Sequence, residues 1–289
     1  MLSAPLALLL LLLGCATHTS PIDRILAAHP GKSIAVAYYD FSTGETFFRN
    51  EREVFHAAST MKVPVMLGIF EAVQRGELRL DQPVRVRNEF VSIFDGSTFA
   101  LDPKEDSDPD LFKEIGRDLP LGELVRRMEV RSSNLATNVV IELIGAKRVM
   151  RLMQEIGAND IRVLRGVEDD KAYHAGMNNT TTAYDLMLVF RAVAKSPGMI
   201  EILAAQEFND GIPAGLPRGT KVAHKTGSIT AIAHDAGIVF RPDGTQYVLV
   251  VLTRGFAKHD QAEKVIAQIS REFWGAGVSP ARGGRLVRR

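Results

Sequence analysis

Ser59-Thr60-Met61-Lys62 places a hydroxyl and an amine three positions apart at the start of an apolar-periodic run. On a helix these positions share a side, so the amine lies within reach of the hydroxyl, at the end whose dipole favours developing negative charge. A serine hydroxyl is a poor nucleophile until a base takes its proton. Lysine is that base only where burial or another cation lowers its pKa. Pro64 lacks an N–H and belongs in a first turn, so the helix is expected to begin at or just before Thr60, with Ser59 at its mouth. Alone, Ser-x-x-Lys is a common coincidence whose ordinary reading is a capped helix. Two further patterns follow it in order: Ser132-Ser133-Asn134 in a loop before a helix, and Lys225-Thr226-Gly227-Ser228 on a predicted strand. The Lys-Thr-Gly triplet is the most specific of the three.

The elements that must hold these residues are legible in outline. Val63, Met66, Leu67, Phe70 and Val73 fall at helical spacing and would bury one face of the helix after Ser59, which Gly76 stops. Helices are also predicted over Ile22 to Ala28, Leu121 to Met128, Asn134 to Ile144 (capped by Ser132 or Ser133), Ala146 to Ile156, Thr182 to Lys195 and Gln261 to Phe273. Pro197-Gly198 reads as a breaker and Leu164 to Thr180 as irregular. Strand patterns cover Ser33 to Tyr39 and Glu45 to Arg49 around a Ser42-Thr43-Gly44 turn, then Lys221 to Thr226, Ala236 to Phe240 and Tyr247 to Arg254. The acidic stretch Phe94 to Asp118 reads as a solvated surface loop. Strands at both ends bracket a helical middle, which argues an α/β lobe over 22–56 and 216–274 and an all-α lobe inserted at 57–215. A basic tail, 275–289, is expected to be disordered.

Composition narrows the class. An apolar fraction of 46%, a charged fraction of 24% and a net charge of +1 are those of a soluble globular protein and point to no nucleic-acid partner. The histidines are scattered, with no Cys/His cluster and no nucleotide-binding glycine fingerprint, so neither a metal nor another cofactor is expected. His174 and His234 are expected to be structural. Met1 to Leu13 is almost wholly apolar and too short to span a bilayer, as in a signal-peptide core. Its end, Leu12-Leu13-Gly14-Cys15, resembles the bacterial lipoprotein processing signal, which implies an exported, periplasmic protein, lipid-anchored to the membrane through Cys15; the leader carries no Lys or Arg before this run. Cys15 is the only cysteine, so no intrachain disulfide exists.

The three motifs, in this order and on these element types, are those of class A β-lactamases and penicillin-binding proteins. From about Ile22 to Phe273 the sequence resembles that serine β-lactamase and transpeptidase superfamily, most of all its class A branch, and Thr180-Thr181-Thr182 matches that branch too. The resemblance implies an α/β plus all-α, β-lactamase/transpeptidase-like fold, with an antiparallel sheet from both termini and a helical insertion. It implies a monomer that acts on a small molecule, a β-lactam or a peptidoglycan stem peptide. Acyl transfer needs a nucleophile, a base, oxyanion donors and a cation for an anionic substrate. The resemblance casts Ser59 as nucleophile, Lys62 as its base partner and Ser132 as the proton relay to the leaving nitrogen. It gives Asn134 the substrate amide and Thr226 the substrate carboxylate, while Lys225 lowers the pKa of Lys62. The backbone N–H groups of Ser59 and Ser228 would form the oxyanion hole, and Gly227 would let substrate lie close to the strand.

The departure lies between Leu164 and Thr180. Class A enzymes carry Glu-x-x-Leu-Asn there, whose Glu activates the deacylating water. Here the sequence is Arg165-Gly166-Val167-Glu168-Asp169-Asp170-Lys171, with no Leu-Asn. Glu168 is either that carboxylate or part of a solvated acidic turn pairing with Lys171 or Arg165; Asn178 or Asn179 could substitute for the absent asparagine, which spacing alone does not show. The expected function is opening of the β-lactam ring through an ester on Ser59, then hydrolysis. Two alternatives share the motifs: a penicillin-binding D-Ala-D-Ala peptidase or esterase, and a binding protein that is acylated without turnover.

Overall fold

β-Branched and aromatic side chains concentrate near the two ends of the chain, and the long strands form there. A computed structural model describes residues 20–275, so Cys15 and the arginine-rich tail lie outside the described residues. The chain runs through α1 (Pro21–Ala27), β1 (Ser33–Asp40), β2 (Thr46–Arg49) and β3 (Phe55–His56) into a 3-10 turn at Ala58–Met61 and α2 (Lys62–Gln74). Short strands β4 (Pro83–Arg85), β5 (Phe90–Val91), β6 (Thr98–Phe99) and β7 (Asp118–Pro120) precede α3 (Leu121–Val130), α4 (Asn134–Ile144) and α5 (Ala146–Glu155). Then follow α6 (Asp170–His174), β8 (Thr180–Thr181), α7 (Ala183–Val193), α8 (Pro197–Ala204), β9 (Val222–Ile229), β10 (Ile232–Phe240), β11 (Gln246–Arg254) and α9 (His259–Gly275).

Strands from both ends build one antiparallel sheet in the order β2-β1-β11-β10-β9. Val36 stands opposite Val251, and Ala236 lies between Val250 and Lys225, which fixes Lys225 on the outer strand β9. Helices cover both faces, so β1, β10 and β11 are buried almost throughout rather than at alternate positions. On one face Val36, Leu249 and Val251 pack against Ile25 of α1 and Ile266 and Ile269 of α9, and Tyr38 stacks on Phe273 with ring centroids 4.7 Å apart. On the other, Ala37, Val248, Val250 and Leu252 share a continuous core with Met66, Leu124, Val140 and Phe190 of the intervening helices.

The helix after Ser59 differs from its expected form in two ways. Its first turn, Ala58–Met61, is 3-10, and the α-helix proper begins at Lys62. It is also enclosed on nearly every side from Lys62 to Ile69, rather than along one stripe, because α3, α4, α5, α7 and α8 all pack around it. Gly68 permits a close approach of α5: a Cβ there would meet Val149 Cγ2 at 3.3 Å.

Three other expectations are corrected. Pro197-Gly198 opens α8 instead of merely ending α7, since proline's missing N–H costs nothing at a first helical position. The 164–180 segment contains the short helix α6, capped by Asp169, whose side chain accepts from Ala172 N at 3.1 Å. The acidic stretch is not wholly solvated. Asp106 and Asp108 are buried; Asp106 accepts from Leu135 N at 2.7 Å, and Asp108 pairs with Arg127 at 2.9 Å and Arg131 at 3.1 Å. Buried carboxylates persist where charge-assisted hydrogen bonds replace water.

Candidate active site

The turn that carries Ser59 is fixed from several directions. Ala58 takes φ = 45°, a conformation rare outside glycine and asparagine, and its N–H donates to His56 Nδ1 at 3.0 Å. Ala57 N donates to Asn179 O at 2.9 Å, and Thr60 Oγ1 to Ala57 O at 2.6 Å. Strand β9 runs against the turn at Gly227, where any Cβ would lie 3.0 Å from both Ser59 N and Thr60 N. A side chain there would crowd both nitrogens, and the close approach brings Thr226 and Ser228 beside Ser59. Ser59 is half-buried and borders two hollows. One, of about 320 Å³, is lined by Ser132, Thr226 and Gly227; the other, of about 260 Å³, by Glu168 and Asn179; Asn134 and Ser228 line both.

Lys62 and Lys225 are both fully buried, and Ser132 stands between them. Lys62 Nζ is bonded to Ser132 O at 2.7 Å, Ser132 Oγ at 3.1 Å and Asn134 Oδ1 at 2.9 Å. Lys225 Nζ donates to the same Ser132 Oγ at 3.0 Å and to Thr226 O at 2.9 Å. The hydrogen bonds of Lys62 thus run to Ser132 and Asn134 and not to Ser59, although the sequence spacing pointed there. Burial, then the Lys225 ammonium, pull the Lys62 amine down to about 7, against the opposing pull of Asp106, Glu129 and Glu168. Burial likewise lowers Lys225, offset by Glu129 and Asp235. Ser132 sits at φ = 59°, and Ser133, not Ser132, caps α4, accepting from Ala136 N at 3.2 Å. That division leaves the Ser132 hydroxyl to the two amines.

Glu168 is half-buried at φ = 59°, and its Oε1 accepts from Asn134 Nδ2 at 2.6 Å. Burial raises its pKa, the Asn134 bond works the other way, and Asp106 adds to the rise. The backbone around it is clamped. Asn138 accepts from Val167 N at 2.6 Å and donates to Val167 O at 3.0 Å. Asn179 accepts from Leu164 N at 2.8 Å and donates to Arg165 O at 3.0 Å.

The solvated-turn reading of this segment is overturned. Asp169 is buried and accepts from Ser92 Oγ at 2.8 Å and Ile93 N at 2.9 Å, while Lys171 donates to Asp95 and Ser97, both at 2.7 Å. Only Asp170 of the run is exposed as that reading requires. Neither asparagine is free to stand in for the family's absent one. Asn179 staples the two ends of the loop, and Asn178 accepts from Arg165 at 3.2 Å.

His234 is buried, donating through Nε2 to His56 O at 2.9 Å and accepting from Thr253 N at Nδ1, 3.1 Å; burial holds it down near about 4. His174 is exposed at the end of α6. Among the described residues no group of three or more His, Cys, Asp or Glu side chains is placed to hold a metal ion. Sequence reasoning missed the supports, Ser92, Asp106, Asn138 and Asp169. One signal was available: Asn138 lies four residues after Asn134, on the same face of α4.

The chain matches the Beta-lactamase enzyme family over residues 18–276. It is 24% identical over 260 residues to the extended-spectrum β-lactamase PER-1 of Pseudomonas aeruginosa, covering 83% of this chain and 80% of that one. Its fold follows a β-lactamase from Chitinophaga pinensis with a TM-score of 0.77, at 24% identity over 89% of this chain and 98% of that one. A mutant of PBP-A, solved as its acyl-enzyme complex with penicillin G, superposes with a TM-score of 0.74 at 25% identity, over 88% and 94% of the two chains. The match over nearly its whole length, together with the three motifs meeting at one cleft, makes this chain a member of the β-lactamase enzyme family.

Proposed function

We propose that the protein hydrolyses β-lactams through an ester on Ser59. In this mechanism Ser59 Oγ attacks the lactam carbonyl carbon and its proton passes to neutral Lys62. The oxyanion is held by the N–H groups of Ser59 and Ser228, each such donor being worth roughly 10²–10³ in rate. The C–N bond then breaks, and the leaving nitrogen takes a proton from Ser132 Oγ, which Lys62 restores. Neutral Lys62 has two N–H groups, donated to Ser132 O and Asn134 Oδ1, which leaves its lone pair for the Ser59 proton. Lys225 donates to Ser132 Oγ from the other side and, with Thr226, holds the substrate carboxylate. For deacylation, water attacks the ester carbonyl, Glu168 takes its proton, and Ser59 Oγ leaves as that proton is returned to it from Glu168.

One observation carries the choice of hydrolase: Glu168 Oε1 lies 2.6 Å from Asn134 Nδ2, on an amide whose oxygen also binds Lys62. A half-buried carboxylate beside the nucleophile, raised by burial, is suited to general-base work near neutrality. A penicillin pulse followed by peptide mapping tests the nucleophile. The adduct should fall on the Ser59 peptide and vanish in Ser59→Ala; an adduct of undiminished amount in that variant would refute the assignment. The second reading, a long-lived acyl-enzyme in a peptidase or binding protein, is favoured by the commitment of both Asn178 and Asn179 to the loop backbone and Arg165.

We further infer export to the periplasm with a lipid anchor on Cys15, supported by the apolar run Leu8 to Leu13 and the Leu12-Leu13-Gly14-Cys15 ending. Wild-type protein should fractionate with membranes and Cys15→Ser should be displaced from them. Soluble protein with another N-terminus would overturn the anchor.

A further inference from the structure

Glu129 lies in the last turn of α3, three residues before Ser132, and is completely buried. Among the described residues nothing donates a hydrogen bond to either of its carboxylate oxygens. The amide of Gln206, which packs beside it, donates to the Glu129 backbone oxygen at 2.8 Å and not to the carboxylate. Of the guanidinium groups on α3 and at its end, Arg126 is exposed, Arg127 pairs with Glu123 and Asp108, and Arg131 with Asp108 and Glu207. The charges that reach Glu129 are the two buried ammonium groups, Lys225 of β9 first and Lys62 of α2 second.

A buried carboxylate without hydrogen bonds is costly, and an apolar side chain of similar size would pack there without that cost. The position belongs to the buried stripe of α3, four residues after Val125 and next to Met128. Something must offset the expense, and among the described residues the opposite charges acting on it are those of Lys225 and Lys62.

We propose that Glu129 is a positioning residue for the reaction, a buried counter-charge that keeps Lys225 cationic so that Lys62 is the neutral amine of the pair. It works through Lys225, touches no substrate, and rests on the reading of Lys225 as the substrate's cation. Glu129 and Asp235 support the Lys225 ammonium, while Lys62 is opposed by Lys225 and supported by Asp106, Glu129 and Glu168. Two buried ammonium groups sharing one serine hydroxyl would otherwise both be driven toward neutrality. A carboxylate coupled to Lys225 more strongly than to Lys62 makes the outcome unequal: one amine to bind an anion, one to take a proton.

The direction of the test follows from the sign of each charge. Removing a negative charge lowers the pKa of a neighbouring lysine. Burial also raises the Glu129 carboxyl itself, so its charge is largely absent in acid and present in base. Glu129→Gln, which keeps shape and burial, should therefore move the basic limb of the pH–rate profile to lower pH and the acid limb in the same direction by less. KM for penicillin at about pH 8.5 should rise about tenfold, the equivalent of one pK unit, while kcat at about pH 6.5 stays within a few-fold of wild type. A KM–pH curve that superposes on wild type, or a loss uniform across pH, overturns the proposal. A second measurement needs neither this variant nor substrate. In wild-type protein carrying carboxyl-¹³C glutamate, the Glu129 resonance should titrate well above the ordinary glutamate range and move higher still in Lys225→Met. Titration in the ordinary range, or indifference to Lys225→Met, also overturns it. Because this titration is read without turnover, its failure leaves the hydrolase reading standing. Absence of any Ser59 adduct would remove that reading without moving the titration.

Discussion

Asn134 donates to Glu168 Oε1 at 2.6 Å through the same side-chain amide that accepts from Lys62 Nζ at 2.9 Å. One residue thereby orients the amine proposed for acylation and the carboxylate proposed for deacylation. Asn134→Ala should slow both steps. A hydrogen bond to a charged group is worth about 1.5–3 kcal/mol, so each rate should fall by roughly 10–100-fold in stopped-flow acylation and single-turnover hydrolysis. A loss confined to one step would separate the two roles.

Lys62→Met should slow acylation by roughly 10²–10⁴-fold, the range for loss of a general base. In the wild type the amine is held down to about 7 and is active when neutral. The acylation rate should therefore rise with pH through that value, and fall about tenfold for each unit below it. A rate that is flat from pH 5 to 8 would remove Lys62 from this role.

Gly227→Ala would push a methyl group against two backbone nitrogens, Ser59 N and Thr60 N, each at 3.0 Å. Backbone does not yield as a flexible side chain does, so β9 should be displaced from the nucleophile's turn. Acylation should fall by roughly 10²-fold or more, the typical loss when one oxyanion donor is misplaced. Stopped-flow acylation by a chromogenic cephalosporin checks this, and an unchanged rate would place the oxyanion donors elsewhere.

Asp169 ties the Glu168 loop to the β5–β6 hairpin through Ser92 and Ile93 and caps α6 through Ala172. Asp169→Ala removes three bonds to a buried carboxylate and should cost about 2–4 kcal/mol in urea unfolding. In the folded variant deacylation should suffer more than acylation, because the loop carries Glu168 and not Ser59. Equal losses in the two steps would show that the hairpin supports the whole cleft.

What the sequence disclosed follows from how local each signal is. Ser59 and Lys62, Ser132 and Asn134, and Lys225 to Ser228 each lie within one short pattern on an element with its own periodicity, and their order along the chain identified the family. The sheet was legible because β1, β10 and β11 are rich in Val, Ile and Tyr. The supports were not, because their partners are distant in sequence. Asp169 meets Ser92 across 77 residues, and Asp106 meets Leu135 across 29, so both looked like solvated charge. Other departures arise where one residue serves two purposes. Pro197 ends one helix and begins the next, and Glu129 is a charge on an apolar stripe.

The mass of the intact protein, followed from milliseconds to hours after a pulse of penicillin, bears most directly on hydrolysis through Ser59 with Glu168 as base. Wild-type protein should show little adduct at steady state and return to its free mass as penicillin is consumed. Glu168→Ala should acylate at a comparable rate and then accumulate the Ser59 ester. An adduct that persists for hours on the wild type, or a Glu168→Ala variant that clears its ester as fast as the wild type, would contradict that role for Glu168.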